Sequence, residues 1–400
     1  MKDTSLISKK QQIPVAFLSI GSKQWWGGIT YIHNLLFAIS KLDNKKIQPI
    51  VFSGERIDDK ILAMYKPFAD IIQSSTFDHG TINWFLNRVM IRILRRDYYT
   101  ERLLRKKKIA VVSHLLYPVK PSLHYKTIGW IPDFQHLHLP EMFSKSDLSL
   151  RNAYYAKLAA YSNIIILSSY SVLDDFKRFA PEFSHKARVL QFVSQPNRQI
   201  YDVSVQNSLK IKYAEFNKYF FLPNQFWKHK NHDVVFKAVK ILKDRHYDII
   251  IACSGFMEDN RNKNHVSELL EYIRENNLES NIRLLGMIDS ADLFYFMRNS
   301  IAVLNPSLFE GWSTTVEEAK SMGKSVILSD IAVHREQNPP SSIYFNPREP
   351  EELADILLKK YNESNGGPDF ELEKLAEEKL TKRTIQFAET YQNIILELFT

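Results

Sequence analysis

A single cysteine in 400 residues, Cys253, excludes an internal disulfide and a thiolate metal cluster and fits a reducing compartment. A lone cysteine of this kind is expected in a core. No apolar run approaches the ~20 residues that span a bilayer. The opening stretch MKDTSLISKKQQIPVAFLSIG lacks the long apolar centre and small-residue cleavage site of an export signal, so a cytoplasmic location is expected. Internal repeats and low-complexity tracts are missing too. So is a Gly-x-Gly-x-x-Gly fingerprint, which leaves a dinucleotide cofactor without support. The pair His136 and His138 comes with no third ligand assigned, and no metal is expected there.

What is present is a hydrophobic content of 44%, ample for two or three domains. Short β-branched runs (VAFLSIG, IQPIVFSG, NIIILSS, then YFFLPN, DIIIACSG, IAVLNPS) recur between longer helical patterns. That alternation predicts βαβ units and two parallel sheets buried on both faces. Periodicity fades over Val193 to Tyr219, a candidate linker near 195–215, and returns as a helical pattern from Phe370 to Thr400 that is expected to clamp the two halves.

The net charge of +8 is unevenly spread: between Arg88 and Lys108 nine cations face only Asp97 and Glu101, interleaved with apolar residues. A basic amphipathic helix on an anionic membrane and a solvated helix face docked on a core both give this pattern. No nucleic-acid motif accompanies it, so nucleic acid is not an expected partner.

The segment IAVLNPSLFEGWSTTVEEAKSMGKSVILSD carries the strongest signal. A strand ends near Asn305, Thr314 stands three residues before Glu317 at capping-box spacing, and Gly323 closes the helix. The free amides at such a helix start, with the macrodipole behind them, favour a phosphate. Glu317 then reads as a cap, and Glu310 and Glu318 are left without structural duty. Carboxylates accept hydrogen bonds from hydroxyls, so a pair flanking a phosphate seat suits a nucleotide sugar, with a sugar on each side of a diphosphate.

Glu310, seven residues and Glu318 resemble the Glu-x7-Glu motif of glycosyltransferase family 4, retaining enzymes of GT-B fold. The order of elements across nearly the whole chain is similar. The resemblance implies an α/β architecture of two Rossmann-like domains whose parallel sheets face each other across a cleft, with a C-terminal helix bridging both. The expected boundaries are 1–200 for an acceptor-binding domain, 201–380 for a nucleotide-sugar-binding domain and 381–400 for a helix packing back on the first. It further implies that Glu318 holds the donor ribose, that Glu310 lies beside the donor sugar as a candidate catalytic group, and that Gly311, Trp312, Ser313, Thr314 and Thr315 line the diphosphate. In YFFLPNQFWKHKNHD, Lys230 sits where the family has a phosphate-binding lysine. Gln225 occupies the position of the family's arginine and Asn224 that of its glycine, so one cation is missing, and Lys228 or a basic residue elsewhere, including one from the first half, is a candidate replacement.

In the first half, Gly27 and Gly28 precede a helical pattern and permit close approach to a ligand; the family carries a glycine pair here. Trp25 and Trp26 suit either a core or an acceptor platform. GWIPDFQHLHLPEMFS places Asp133 and His136 where the resemblance expects a His-Asp pair near the anomeric carbon, and they are favoured over His138. The serines of IILSSYSVLDDF read as a helix cap. The resulting expectation is a metal-free hexosyltransferase without a cofactor, moving a sugar from a nucleotide-diphosphate donor to a glycan or lipid-linked acceptor in bacterial surface polysaccharide or lipopolysaccharide synthesis. Peripheral contact with the inner face of the membrane is an open possibility. A GT-B sugar-nucleotide epimerase and a non-catalytic, membrane-docked sugar-nucleotide binder are the competing readings.

Overall fold

The computed structural model describes residues 12–18, 26–94 and 97–400. Among them are thirteen strands in two sheets, every pair parallel; the short apolar runs supply all but Asp70–Gln73, Ala187–Val189 and Ser342–Phe345, which the sequence pattern does not mark. The first sheet holds β1 (Ile13–Leu18), β2 (Ile47–Ser53), β3 (Asp70–Gln73), β4 (Val111–Leu115), β5 (Lys126–Ile131), β6 (Ile164–Leu167) and β7 (Ala187–Val189), in the order β3-β2-β1-β4-β5-β6-β7. The second holds β8 (Tyr219–Leu222), β9 (Ile250–Ser254), β10 (Ile282–Gly286), β11 (Val303–Asn305), β12 (Val326–Ser329) and β13 (Ser342–Phe345), in the order β10-β9-β8-β11-β12-β13. The strand order reverses between β1 and β4 and again between β8 and β11, and ligands in such folds bind outside the carboxyl edge at these points.

Continuous apolar runs form these strands because both faces are covered. β6 and β8 are buried at every position. In the first sheet Val15 and Phe17 face one apolar layer and Ala16 the other. In the second, Cys253 lies fully buried among Phe220, Leu222 and Ile251, as expected of a lone cysteine.

Residues 195–215 are more than the polar linker expected. They carry a 3-10 turn, Arg198–Tyr201, and a helix, Val203–Lys212, that bury Ile200 and Leu209 against the second sheet. Few of the residues there are apolar, so the sequence shows no clear period.

The C-terminal helix, Phe370–Leu396, bridges the halves. Its later turns enter the first-half core through Phe387, Tyr391 and Ile395, and Tyr391 Oη donates to Ser113 Oγ at 2.8 Å. Its first turns hold the second half: Glu373 takes a two-pronged contact from Arg298 at 2.6 and 3.0 Å. Between them Arg383 pairs with Glu317. Glu317 is therefore not the helix cap that its spacing from Thr314 indicates. Ser313 is the N-cap, accepting from Val316 N, so Glu317 falls one residue past the capping-box position and its carboxylate turns away from the helix start.

Glu317 is 1% exposed and Arg383 only partly buried, which makes the pair asymmetric. Arg383→Met should destabilise by about 3 kcal/mol, because it strands a buried carboxylate. Glu317→Gln should cost less, since Arg383 can return to water. Urea unfolding of the two variants measures the order, and equal losses would count against it.

Candidate active site

Two adjoining cavities lie where the carboxyl edges of the sheets meet. One, of about 180 Å³, is lined by Gly27, Gly28 and Asp133 from the first half and by Lys230, Glu310 and Thr314 from the second. The other, of about 510 Å³, shares Asp133, Gln135 and Trp227 with it.

The turn after β8 presents Lys230. Asn231 adopts a left-handed conformation (φ 57°) that ends the turn, and its Nδ2 donates to the carbonyls of Pro306 (3.1 Å) and Pro347 (2.9 Å). Leu308 N donates to His229 O at 2.8 Å. These bonds stitch the lysine turn to the loop after β11. Lys230 Nζ thereby meets Glu310 Oε1 at 2.6 Å, with side chains 16% and 10% exposed, and Ser307 Oγ donates to the same oxygen at 2.7 Å. Beside them, burial first and then the charges of Lys230 and Arg261 hold the His229 imidazole well below its ordinary pKa, so it is neutral.

The helix Thr314–Met322 starts at the cavity and ends, as expected, at Gly323 in the left-handed region (φ 72°). Asn305 Nδ2 donates to Ser313 Oγ at 2.6 Å and fixes the cap. The amides of Thr314 and Thr315 find no acceptor among the described residues. One turn further on, Glu318 is half-buried with no ion pair or hydrogen bond among them either, and burial pushes its carboxyl up to about 8.

Gly311 has a steric duty. A Cβ there would lie 2.1 Å from Pro132 O, so the loop after β11 touches the loop after β5 only because no side chain intervenes. Trp312 Nε1 donates to Phe192 O at 3.2 Å and the ring packs on the first-half core, so it fastens the halves together. Thr315 is buried, its hydroxyl donating to Pro223 O at 3.3 Å.

Other candidates sit further off. His136 is 1% exposed and turned into the first half, with Nε2 against Asn152 Oδ1 at 2.9 Å; it lines neither cavity, because the short helix Gln135–His138 rotates it onto Tyr155 and Phe134. His138 pairs with Asp175 at 2.8 Å and stacks near Phe309. Asp133 lines both cavities while its Oδ1 accepts from Gln135 N at 2.9 Å. Gln225 lines the larger cavity. Lys228 is exposed and lines neither; its backbone N donates to Asp259 at 2.9 Å. Trp25 lies outside the described residues. Ser169 caps the helix Tyr170–Phe179, as expected, accepting from Val172 N at 3.1 Å. No group of His, Cys, Asp and Glu side chains fit to hold a metal occurs among the described residues.

Residues 207–388 match the family model of glycosyl transferases group 1. The O-antigen chain mannosyltransferase RfbU of Salmonella typhimurium is 25% identical over 246 residues, 60% of this chain and 61% of that relative. These matches support a glycosyltransferase. The chain thus aligns with under two thirds of the relative's length. Two solved structures share the fold over nearly their whole length. HepE of Anabaena in complex with UDP and glucose has a TM-score of 0.67 at 14% identity, covering 96% of this chain and 100% of that one. A glycosyltransferase of Rickettsia africae has a TM-score of 0.62 at 16% identity, covering 97% and 98%. The two-domain GT-B architecture follows.

The raised Glu318 carboxyl has a measurable consequence. Its native pKa stands above the ordinary 4.5, so below about 4.5 both states are protonated and it costs nothing; as pH rises to about 8 the unfolded chain gains by ionising and the native state loses stability. Glu318→Gln should therefore leave thermal stability unchanged near pH 4 and raise it by about 2 kcal/mol at pH 8.5, less than the full linkage because water still reaches a half-buried group. A gain independent of pH would contradict this origin.

Proposed function

We propose that the chain is a retaining glycosyltransferase of family 4 type, transferring a sugar from a nucleotide-diphosphate sugar to a hydroxyl of a glycan or lipid-linked acceptor in bacterial surface polysaccharide synthesis. The observation that carries it is Glu318, a carboxyl with no protein partner among the described residues, one turn beyond the unsatisfied amides of Thr314 and Thr315 on the helix whose start, at Thr314, lines the same cavity as the Lys230–Glu310 pair, although Glu318 itself lines neither cavity. A ribose diol, a diphosphate and a sugar have complementary groups in that order. The relative's role as an O-antigen chain mannosyltransferase and the neighbour's UDP and glucose support the same ligand class. In this reading residues 1–200 form the acceptor half and 201–380 the donor half.

In the mechanism proposed, Lys230 and the two amides take up the charge that grows on the leaving diphosphate, with no resident metal called for. Glu310 keeps Lys230 in place and lies beside the sugar. The acceptor oxygen bonds to the anomeric carbon on the face from which the diphosphate oxygen departs as the C–O bond to the diphosphate breaks, and the hydroxyl proton passes to that departing oxygen, with Asp133 at the junction of the cavities. Gly27 and Gly28 let the first half close on the ligand.

Glu318→Ala should weaken binding of the preferred nucleoside diphosphate by about tenfold, and Lys230→Ala should cut turnover by about a hundredfold, with Lys228→Ala near normal. Calorimetry with uridine, guanosine and thymidine diphosphates, and release of nucleoside diphosphate with and without a glycan acceptor, check both. Unchanged affinity in Glu318→Ala sinks the assignment; release without any acceptor dependence favours an epimerase.

The proposal includes an anionic membrane surface as partner. On the helix Ile82–Leu94, Ile82, Phe85 and Leu86 are 79%, 61% and 42% exposed, and Arg102 and Arg105 to Lys108 on the following helix and turn are exposed as well. No described helix is long and apolar enough to cross a membrane. Sedimentation with phosphatidylserine vesicles should fall steeply between 50 and 500 mM salt, roughly as expected for surface cations each worth about 1 kcal/mol. Salt-independent or absent sedimentation assigns the segment to a solvated face.

A further inference from the structure

The larger cavity brings together two arginines from opposite halves. Arg151 comes from the helix Lys145–Tyr161 and Arg261 from the loop after β9. Their guanidinium carbons lie 5.0 and 4.7 Å from the centroid of one ring, that of buried Phe143. Arg261 also lies 5.7 Å over Trp227 and donates to Gln135 Oε1 at 3.0 Å. Neither arginine forms an ion pair among the described residues.

Two like charges gathered in a cleft with carboxylates near but none in direct contact are unfavourable by themselves. Burial holds the Arg261 guanidinium below its ordinary value against the pull of Asp259, Asp133 and Asp147, and Arg151 adds to the lowering. The carboxylates nearby are otherwise engaged. Burial alone would raise the Asp259 carboxyl, yet hydrogen bonds from Lys228 N, Asn262 and Arg261 N hold it low and occupy both its oxygens. Asp133 caps Gln135 N, and Glu258 is exposed.

A second observation is independent of charge. Gln135 is 7% exposed, lines both cavities, and its Nε2 has no acceptor among the described residues. A buried donor with no acceptor is costly unless a ligand supplies one. Two planar guanidinium forks and an amide donor are together complementary to a tetrahedral oxyanion.

The geometry points to a phosphoryl-binding clamp formed by Arg151, Arg261 and Gln135 across the cleft, for a phosphate or diphosphate ester. Arg261 then brings from the β9 loop the charge that Gln225 lacks. The two stretches are close, since a Cβ on Gly255 would lie 2.3 Å from Asn224 O, and Gln225 lines the same cavity. The clamp rests on the transferase reading for the source of its ligand: the donor's own diphosphate, or the diphosphate of a lipid-linked acceptor.

Calorimetry of the full chain tests it with inorganic pyrophosphate, GDP, UDP and farnesyl diphosphate as probes. Arg261→Gln and Arg151→Gln should each weaken pyrophosphate about tenfold, and the double variant should lose less than the product, because both residues hold one ligand. Arg261→Lys, which keeps charge without the fork, should recover part of the loss. Gln135→Glu, which alters no arginine, should weaken pyrophosphate by opposing it with a carboxylate and gives a second route if an arginine variant fails to fold. Parallel weakening of GDP or UDP assigns the donor diphosphate; weakening of farnesyl diphosphate with nucleotides unchanged assigns the acceptor. Pyrophosphate that does not bind, or binds all variants alike, overturns the clamp. Nucleotides that fail to bind even the parent chain, with pyrophosphate still arginine-dependent, overturn the transferase reading and leave the clamp standing.

Discussion

The contact between Lys230 and Glu310 is the constraint around which the cleft is arranged. A lysine and a glutamate that are 16% and 10% exposed are stable together only if geometry repays desolvation. The surroundings supply that geometry. Ser307 donates to the carboxylate, Asn231 ties the lysine turn to two carbonyls of the opposing loops, and His229 stays neutral beside them. Lys230 is already paired with Glu310, so any anion that reached it would have to compete with that carboxylate. The helix amides at Thr314 and Thr315 are then as important to an anion as the lysine, because nothing among the described residues competes for them.

Glu317 and Glu318 divide two tasks that the sequence leaves merged. Successive helical residues point roughly 100° apart, so adjacent glutamates on the helix Thr314–Met322 cannot serve the same neighbour. Glu317 is fully buried against Arg383 of the C-terminal helix and helps lock the halves, whereas Glu318 faces no protein cation. The helix Thr314–Met322 is thus braced through Glu317, while Glu318 has no partner among the described residues. Its first carboxylate contributes to stability and its second costs some, as is usual where a fold keeps a group unsatisfied for a ligand.

The edge strands Asp70–Gln73, Ala187–Val189 and Ser342–Phe345 were not legible, because each is only three or four residues long and carries little apolar signal; the other strands were, because their signal is local, a short β-branched run read by itself. The spacing of Glu310 and Glu318 was legible for the same reason, as was the closing Gly323. The cap was misplaced by one residue because Ser313 and Thr314 are both competent caps, and only Asn305 selects the serine. The pairing of Lys230 with Glu310 bridges 80 residues, and that of Arg261 with Gln135 bridges 126. Neither leaves a periodic trace, and Arg261 sits in a polar stretch, EDNRNKNH, that looks like any solvated loop. Sequence locates strand ends; which strand ends face one another is set by two sheets packed across a cleft.

That facing has a steric term of its own. Gly311 brings the loop after β11 onto Pro132, Trp312 bonds to Phe192, and Glu336 accepts from the amides of Tyr170 (2.8 Å) and Ser171 (3.1 Å) at the start of a first-half helix. All three contacts cross between the halves within or beside the loops that line the smaller cavity. A rotation that opened the cleft would break these hydrogen bonds, and at the Gly311–Pro132 approach it would relieve no clash, because the glycine has no side chain to meet the proline. The closed arrangement is therefore held by hydrogen bonds that water can replace, at about 1 kcal/mol each, while the C-terminal helix keeps the halves tethered through its own core contacts. A joint of this kind can open and close at low cost without separating the halves.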